Sequence, residues 1–237
     1  MRIISLFVAT TLFSAPALAA GKTSAKGIKD KSAYSLGYQF GQNLHSYGAQ
    51  LHVESFTKGF ADALAGKKGA MTPDEMQKAV AEFEQSLRSK LEAKKKDQGD
   101  ANIKEGKSFL DANAKKAGVK VLESGLQYQV LTEGKGKTPK ATDVVTTHYR
   151  GTLINGKEFD SSYSRNQPAE FPVNGVIKGW TEALQLMKEG SKWKLFIPSE
   201  LAYGAQGAGP DIGPNATLIF EVELISVKAK EGDKSAR

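Results

Sequence analysis

The chain has 237 residues, of which 40% are hydrophobic and 25% are charged, and its formal net charge is +7. This length allows one or two domains with buried cores, and the composition is ordinary for a soluble globular protein. Cysteine is absent, so the fold must be stable without disulfide bonds, and attachment to a membrane through a lipid-modified cysteine is excluded.

The first 20 residues have the three parts of a secretory signal peptide. Arg2 provides a basic start, an apolar run of about a dozen residues follows, and Ala17-Leu18-Ala19 matches the A-x-A cleavage site. The apolar run is too short to span a membrane as a helix. We therefore predict that residues 1–20 are a signal peptide and that the protein is exported; a buried N-terminal helix is the weaker alternative.

Residues 21–119 are predicted to be helical. Two short segments carry apolar side chains four residues apart, which places them on one helix face: Leu36, Phe40 and Leu44 in the first, and Phe56, Phe60 and Leu64 in the second. Helices with such thin apolar faces make a poor core on their own. Pairing with a second copy of the chain through residues 28–91 would bury these faces, so we predict a homodimer.

A long connecting helix is predicted over residues 73–116. Thr72 and Glu75 form a capping box, and Pro73 occupies the first helical position. Apolar side chains at heptad-like spacing follow and end at Leu91. This stripe predicts that the first half of the helix packs against a partner.

The second half of the same helix is almost entirely polar, which predicts a solvated stalk. Gly99 and Gly106 weaken the prediction that the helix is continuous. Most of the basic excess lies in residues 21–119, as lysines spread over helical patterns. We interpret it as a solvated helical surface; binding to an anionic surface is the alternative, and nucleic acid is not a predicted partner.

The pattern changes after Lys120 to short β-rich runs separated by turns. Leu126, Tyr128 and Val130 alternate in the first run, and "DVVTTHYRG", "KWKLFIP" and "TLIFEVELISV" follow it. Between them, "VIKGWTEALQLMKEG" predicts one short helix. The predicted class is α+β, with an all-helical part in residues 21–119 and an antiparallel sheet packed on a short helix in residues 120–237.

Several standard chemistries lack the residues they need. His45, His52 and His148 are not at metal-ligand spacing, so no metal site is predicted. Ser199 has no histidine partner, and residues 134–137 form a turn rather than a phosphate-binding loop. The remaining candidates are aromatic and aliphatic side chains, which could line a pocket or simply fill a core.

Four segments resemble the FKBP-type peptidyl-prolyl cis-trans isomerases in order and spacing: "HYRGTLINGKEFDSSYSR", "VIKGW", "MKEGSKWKLFIPSELAYG" and "NATLIFEVELISV". The helical half and the signal peptide resemble the macrophage infectivity potentiator (Mip) group of bacterial members. This resemblance implies a helical dimerisation domain followed by an FKBP-like sheet wrapped around its helix. It also implies a periplasmic location, with the outer membrane or cell surface as alternatives and at most peripheral membrane association.

The resemblance also implies the residues of the pocket. Those implied for catalysis are Tyr149, Asp160, Tyr203 and Phe220. Those implied for substrate binding are Phe159, Arg165, Phe171, Val176, Ile177, Trp180 and Ile212, with Trp180 as the floor. Two rim positions depart from the family pattern, Ala208 in place of a common histidine and Gly175 in place of a common glutamate. These departures bear on substrate preference and inhibitor affinity more than on activity.

The implied activity is rotation about X-Pro bonds in exported or surface polypeptides, without metal or cofactor. Macrolides of the rapamycin type are implied inhibitors. No bond breaks in this reaction, so a dry pocket that penalises the planar, charge-separated amide more than the twisted one is sufficient. One alternative is a holdase chaperone, or a surface binding and virulence module, in which isomerase activity is secondary. For Asp160, a purely structural pairing with Arg165 and Tyr149 is an equal alternative.

Overall fold

A computed structural model of the chain describes residues 29–229. The signal peptide predicted for residues 1–20 lies outside this range. The described chain forms two compact units, one ending at Lys68 and the other beginning at Gly69. Within residues 29–229, no helix combines the length and the hydropathy needed to cross a membrane.

The first unit contains two helices, α1 (Lys31–Ser46) and α2 (Val53–Leu64). The Asp30 carboxylate caps α1 by accepting from two backbone N–H groups of its first turn, and the His52 ring accepts from Ser55 N–H at the start of α2. Neither helix buries a single residue within the described chain. The predicted apolar faces are therefore present but uncovered.

The long helix α3 (Pro73–Asn113) opens the second unit and is continuous over 41 residues. Its capping box forms as predicted: the Thr72 hydroxyl accepts from Glu75 N–H, and the Glu75 carboxylate accepts from Thr72 N–H at 2.8 Å. Gly99 and Gly106 do not interrupt it. Both glycines are buried, so the space that they leave is filled by another part of the protein.

The prediction of a solvated second half for α3 is wrong on one face. Gly99, Gly106 and Asn113 recur every seven residues and are the buried residues of the helix. That face packs on the C-terminal sheet and its loops: the rings of Phe109 and Phe196 lie 6.0 Å apart. The sequence did indicate renewed contact at Phe109 and Leu110. The face before them consists of small and polar residues, so it leaves no apolar stripe in the sequence.

The second unit continues with a seven-stranded sheet in which every pairing is antiparallel. Its order is β1-β2-β6-β7-β3-β4, and β5 also pairs with β3. The strands are β1 (Val119–Val121), β2 (Gln127–Thr132), β3 (Val144–Leu153), β4 (Glu158–Ser161), β5 (Ala169–Pro172), β6 (Lys192–Ile197) and β7 (Leu218–Lys228). The predicted α+β class is confirmed.

The short helix α4 (Lys178–Leu184) supplies the other side of the core. Trp180, Ala183 and Leu184 are buried in one cluster with alternate residues of β3, β6 and β7. A Cβ atom on Gly179 would lie 2.6 Å from a methyl carbon of Ile197, so glycine is needed for the helix backbone to approach β6. This close packing fixes Trp180 against the sheet.

Candidate functional site

A cavity of about 650 Å³ opens where the sheet, the start of α4 and the loop after β6 meet. Ten of the eleven site residues expected from the sequence line it: Tyr149, Phe159, Asp160, Phe171, Val176, Ile177, Trp180, Tyr203, Ile212 and Phe220. Arg165 does not line the cavity and instead donates hydrogen bonds to Asp160 and Tyr149. The cavity wall is thus mainly aromatic and aliphatic.

Trp180 is the centre of a set of aromatic rings packed edge to face. Its ring centroid lies 5.4 Å from that of Tyr149, 5.8 Å from Phe171 and 5.3 Å from Phe220, with interplanar angles of 86°, 80° and 84°. These are favourable geometries for aromatic pairs. Each ring is held by its neighbours, so the cavity has a rigid wall before any ligand enters.

The antiparallel pairing of β3 with β4 and β7 brings Tyr149, Phe159 and Phe220 together. Gly151 on β3 makes this possible, because a Cβ atom there would lie 2.6 Å from the Phe159 ring and 2.7 Å from the Phe220 ring. With no side chain at that position, the two phenylalanine rings meet in a T-shaped contact at 5.5 Å. One glycine therefore defines the side of the cavity.

Asp160 is the charged group of the cavity wall. Its carboxylate accepts from the Tyr149 hydroxyl at 2.5 Å and from the Arg165 guanidinium, which also donates to the Tyr149 hydroxyl at 2.8 Å. Burial raises the pKa of Asp160, but the hydrogen bonds from Arg165 and Tyr149 outweigh burial and hold that pKa below its ordinary value. The carboxylate is therefore ionised at neutral pH, and both of its oxygens are engaged.

Comparisons with known proteins match both halves of the chain. A family model described as "FKBP-type peptidyl-prolyl cis-trans isomerase" matches residues 135–225, and one described as "Domain amino terminal to FKBP-type peptidyl-prolyl isomerase" matches residues 29–130. The chain is 44% identical over 227 residues to "Peptidyl-prolyl cis-trans isomerase Mip" of Coxiella burnetii, an alignment that covers 96% of each chain. The chain belongs to the FKBP-type peptidyl-prolyl cis-trans isomerases.

Other relatives show the same similarity along the isomerase. This chain is 40% identical over 228 residues to "Outer membrane protein MIP" of Legionella longbeachae, and the alignment covers 96% of this chain and 98% of that protein. The crystal structure of FkpA from Escherichia coli aligns with a TM-score of 0.68 at 43% identity, covering 84% of this chain and 96% of that chain. The predicted family and enzyme class, a Mip-like FKBP-type isomerase, are confirmed.

Two hydrogen-bond donors without a partner in the described residues lie at the isomerase cavity, in addition to the buried indole N–H of Trp180. One is the Tyr203 hydroxyl, whose pKa is raised by burial and then by the negative charge of Asp160, with no hydrogen bond contributing. The other is the backbone N–H of Ile177, which precedes the first turn of α4. Both groups line the cavity and are available to a ligand carbonyl.

The pocket loop of the isomerase, residues 203–217, closes the cavity with a set of backbone bonds. Ala208 and Ile212 exchange hydrogen bonds at 2.8 and 3.1 Å, and Asn215 N–H donates to the Gly204 carbonyl at 2.8 Å. Gly207 has a φ of +66°, and a Cβ atom there would overlap the Ile212 carbonyl oxygen, so only glycine fits. The loop is therefore a braced structure.

Three further residues of this loop line the cavity that were not predicted from the sequence: Gly209, Pro210 and Asp211. Asp211 is also held from outside by the Lys157 ammonium group at 2.7 Å. The available signal was the run of glycines and prolines, which permits close backbone approach to a ligand. The two rim positions that depart from the family, Gly175 and Ala208, both line the cavity, and neither carries a polar side chain.

The cavity offers apolar surface, hydrogen-bond donors and one carboxylate to a ligand. Within residues 29–229, no group of three His, Asp or Glu side chains is placed to hold a metal ion. His148, the histidine of the sheet, bonds Ser162 and stacks on Tyr163 at 4.6 Å and does not line the cavity.

Proposed function

We propose that the cavity binds a proline residue of an exported polypeptide and stabilises the twisted X-Pro amide. The observation that carries this proposal is a rigid apolar wall with two free donors at its edge, Tyr203 and Ile177. Trp180 forms the floor under the proline ring, with the remaining wall supplied by Phe171, Val176, Ile212 and Phe220. The donors hold the carbonyl groups on either side of the proline in a twisted geometry.

The chemistry requires only differential binding. Rotation of a peptide bond has a barrier of about 18–20 kcal/mol because the planar amide is stabilised by resonance. The twisted state has lost that resonance and is less charge-separated, so a dry apolar cavity penalises it less than the planar state. Each tenfold acceleration needs about 1.4 kcal/mol of preference for the twisted state, which hydrogen bonds and desolvation supply without a nucleophile.

Asp160 and Tyr149 act together in this proposal. The Asp160 carboxylate fixes the Tyr149 ring, and Arg165 neutralises part of its charge from the other side. The part of the Asp160 charge that Arg165 does not neutralise produces a negative potential beside the bound amide. This potential favours one orientation of the amide dipole. Phe159 covers the same edge through its contact with Phe220. Arg165 therefore belongs to the site through Asp160 rather than by contact with the substrate.

The first experiment is exchange spectroscopy of a short Ala-Pro peptide with the mature protein, with and without a rapamycin-type macrolide. Acceleration that the macrolide abolishes supports both the activity and its location in the cavity. No acceleration by a folded protein would overturn the proposal. Acceleration that persists with saturating macrolide would move the reaction to another part of the chain.

We also propose that two copies of the chain pair through residues 28–91. The support is the first unit itself: Leu36, Phe60 and Leu64 are 69%, 59% and 75% exposed, although each lies on the predicted apolar face. Contiguous apolar surface of this kind is typical of an interface. The relatives named above align with this helical region as well as with the sheet.

A second candidate function is a holdase chaperone of unfolded polypeptides. The observation that favours it is the large exposed apolar surface of α1 and α2, which an unfolded chain could also cover. The two functions can be separated by measuring how well the full-length protein suppresses aggregation of an unfolded protein, with and without saturating macrolide. Aggregation suppression that survives the macrolide supports a holdase independent of the cavity, whereas its loss assigns chain binding to the cavity.

The proposed location is the periplasm, with association at the outer membrane as the alternative. Support comes from the signal-peptide pattern in residues 1–20 and from the relative named as an outer membrane protein. Fractionation of the producing cell tests this directly. Recovery of the protein with an intact N-terminus in the cytoplasm would contradict it.

A further inference from the structure

The second half of α3 contacts the pocket loop at three levels. The Asn102 side-chain amide donates to the Pro214 carbonyl oxygen at 2.7 Å, in a partly buried hydrogen bond between residues 112 positions apart. One turn before it, a Cβ atom on Gly99 would lie 3.3 Å from the Pro214 ring. One turn after it, a Cβ atom on Gly106 would overlap the Thr217 hydroxyl. The helix backbone therefore rests directly on the loop.

The contacted part of the loop is continuous with the cavity wall. Gly213 lies against the Gln98 side chain, with no room for a Cβ atom between them, and it directly follows Ile212, which lines the cavity. Asn215 is bonded to Gly204, the residue after Tyr203. A shift of Pro214 would therefore move both Ile212 and the backbone that carries the Tyr203 donor.

We propose that α3 is a positioning element of the active site, with Asn102 as its positioning residue. The Asn102 hydrogen bond holds Pro214, the braced loop transmits that position to Ile212 and Tyr203, and the affinity for the proline peptide depends on it. This inference rests on the proposed function of the cavity. It also gives the buried glycines of α3 a purpose, because Gly99 and Gly106 let the helix lie close enough for the Asn102 amide to reach the loop.

The test compares Asn102→Ala with Lys95→Ala in the full-length mature protein. Lys95 is exposed on the same helix and forms no hydrogen bond with the loop among the described residues, so it controls for a change of helix surface without loss of that bond. We expect Asn102→Ala to raise KM for an Ala-Pro peptide about three- to tenfold, the effect of one lost hydrogen bond. We expect kcat to stay within about twofold, because the variant lowers the fraction of molecules whose loop is in the binding position, and the bound peptide still meets the same cavity side chains. Equal KM values for the two variants would overturn the proposal.

A second pair of variants tests the close approach. Gly106→Ala should raise KM, because the added methyl group forces α3 and Thr217 apart. Adding Thr217→Ala to the same chain removes the overlapping hydroxyl and should return KM to within about twofold of the wild-type value. If the double variant is as impaired as Gly106→Ala alone, the helix does not act through this contact.

Amide hydrogen exchange tests the inference without any isomerase assay, so its failure can be told apart from failure of the proposed function. Asn102→Ala should speed exchange of the Ala208 and Asn215 amides, which are bonded inside the pocket loop, by at least about threefold. Exchange at Val222 in the middle of the sheet should not change. Unaltered exchange at Ala208 and Asn215 would overturn the positioning role even in an active enzyme.

Discussion

Asp160 uses both of its carboxylate oxygens within the protein, one for Tyr149 and one for Arg165. The lowered pKa of Asp160 makes its carboxylate a weak base. In the proposed function, Asp160 acts through its charge and through the Tyr149 ring that it holds. The Tyr203 hydroxyl is the opposite case, since it has no partner among the described residues and, in the proposed function, donates to a ligand carbonyl.

Replacement of Tyr203 by phenylalanine isolates its hydroxyl group. The ring of Tyr203 is 40% exposed, so we expect the free energy of unfolding to change by less than about 0.5 kcal/mol. We expect kcat/KM for an Ala-Pro peptide to fall about two- to tenfold, which corresponds to one neutral hydrogen bond. Tyr163→Phe is the matched control, because that hydroxyl bonds Glu223 and lies outside the cavity. Equal kcat/KM for the two variants would remove the hydroxyl from the mechanism.

The pH profile follows from the groups of the cavity wall. The pKa of Asp160 is lowered from 3.8, because the bonds from Arg165 and Tyr149 outweigh the effect of burial. Burial, followed by Asp160, raises the pKa of Tyr149 and Tyr203 above 10.0. We therefore expect a constant isomerase rate between about pH 5 and pH 9, measured by peptide exchange.

The lowered pKa of Asp160 determines how stability and activity change at low pH. Its ion pair stabilises the fold above the pKa of the unfolded chain, and this contribution disappears as the pH falls through the folded-state value. Activity should therefore decline only below about pH 4. Asp160→Asn should remove that dependence, and an inflection near pH 7 in the wild-type protein would contradict this assignment.

Much of the cavity could be predicted at the level of single residues because its wall comes from short, ordered motifs of the family. The segments around Tyr149, Trp180 and Phe220 keep their spacing, and the strand pairing brings them together. Arg165 was expected to contact the substrate, and its actual position depends on a side-chain conformation that sequence does not encode. Pro210 and Asp211 were missed because a loop shapes itself around neighbours that are distant in sequence.

At the level of elements, α3 shows how hydrophobic periodicity can miss a contact. Its first half carries an apolar stripe that the sequence predicts to pack, and Met76 and Val80 of that stripe are exposed within the described chain. Its second half packs through Gly99, Asn102 and Gly106, where close approach of the backbone and one hydrogen bond replace apolar area. The signal present in the sequence was the seven-residue spacing of Gly99 and Gly106. Two glycines at this spacing are a weaker indication of a packed face than a stripe of leucines.

The short helix α4 offers a direct test of backbone packing beneath the cavity. In Gly179→Ala, the new methyl group would lie 2.6 Å from Ile197. We expect a loss of about 1–3 kcal/mol in the free energy of unfolding, because overpacking at a fixed helix–strand contact forces both elements to move. Lys178→Ala, at an exposed position of the same helix, should change it by less than about 0.5 kcal/mol. Urea unfolding measures both, and equal midpoints would show that α4 can move without strain.

At the scale of the whole molecule, one sequence combines a buried core with a large uncovered apolar surface. The second unit covers its core with its own sheet, helix and loops, whereas the first unit buries nothing within the described chain. A unit without a core buries little apolar area to offset its loss of conformational entropy, which favours the proposed homodimer. Within the second unit, α3 runs from Pro73 to Asn113 and bonds the pocket loop through Asn102, so one continuous helix carries both the apolar stripe and the contact to the cavity wall.

Phe60→Glu tests the homodimer at its most exposed aromatic side chain. Phe60 is 59% exposed and stacks on Phe56 at 6.3 Å, so a carboxylate there leaves the single chain intact but places an unpaired charge in the interface. We expect sedimentation velocity at micromolar concentration to give a dimer for the wild-type chain and a monomer for this variant. Lys58→Glu places the same side chain two residues earlier on α2, where the lysine is exposed and bonds only Asp62, and it should remain dimeric.

The same two variants also test whether isomerase activity depends on dimer formation. A short Ala-Pro peptide reaches only the cavity, so kcat/KM should be equal for Phe60→Glu, Lys58→Glu and the wild-type protein to within about twofold. Suppression of aggregation of an unfolded protein should fall with the dimer, because each polypeptide then meets one cavity instead of two. If the monomer suppresses aggregation as well as the dimer does, multivalent capture is ruled out and chaperone activity belongs to the single chain.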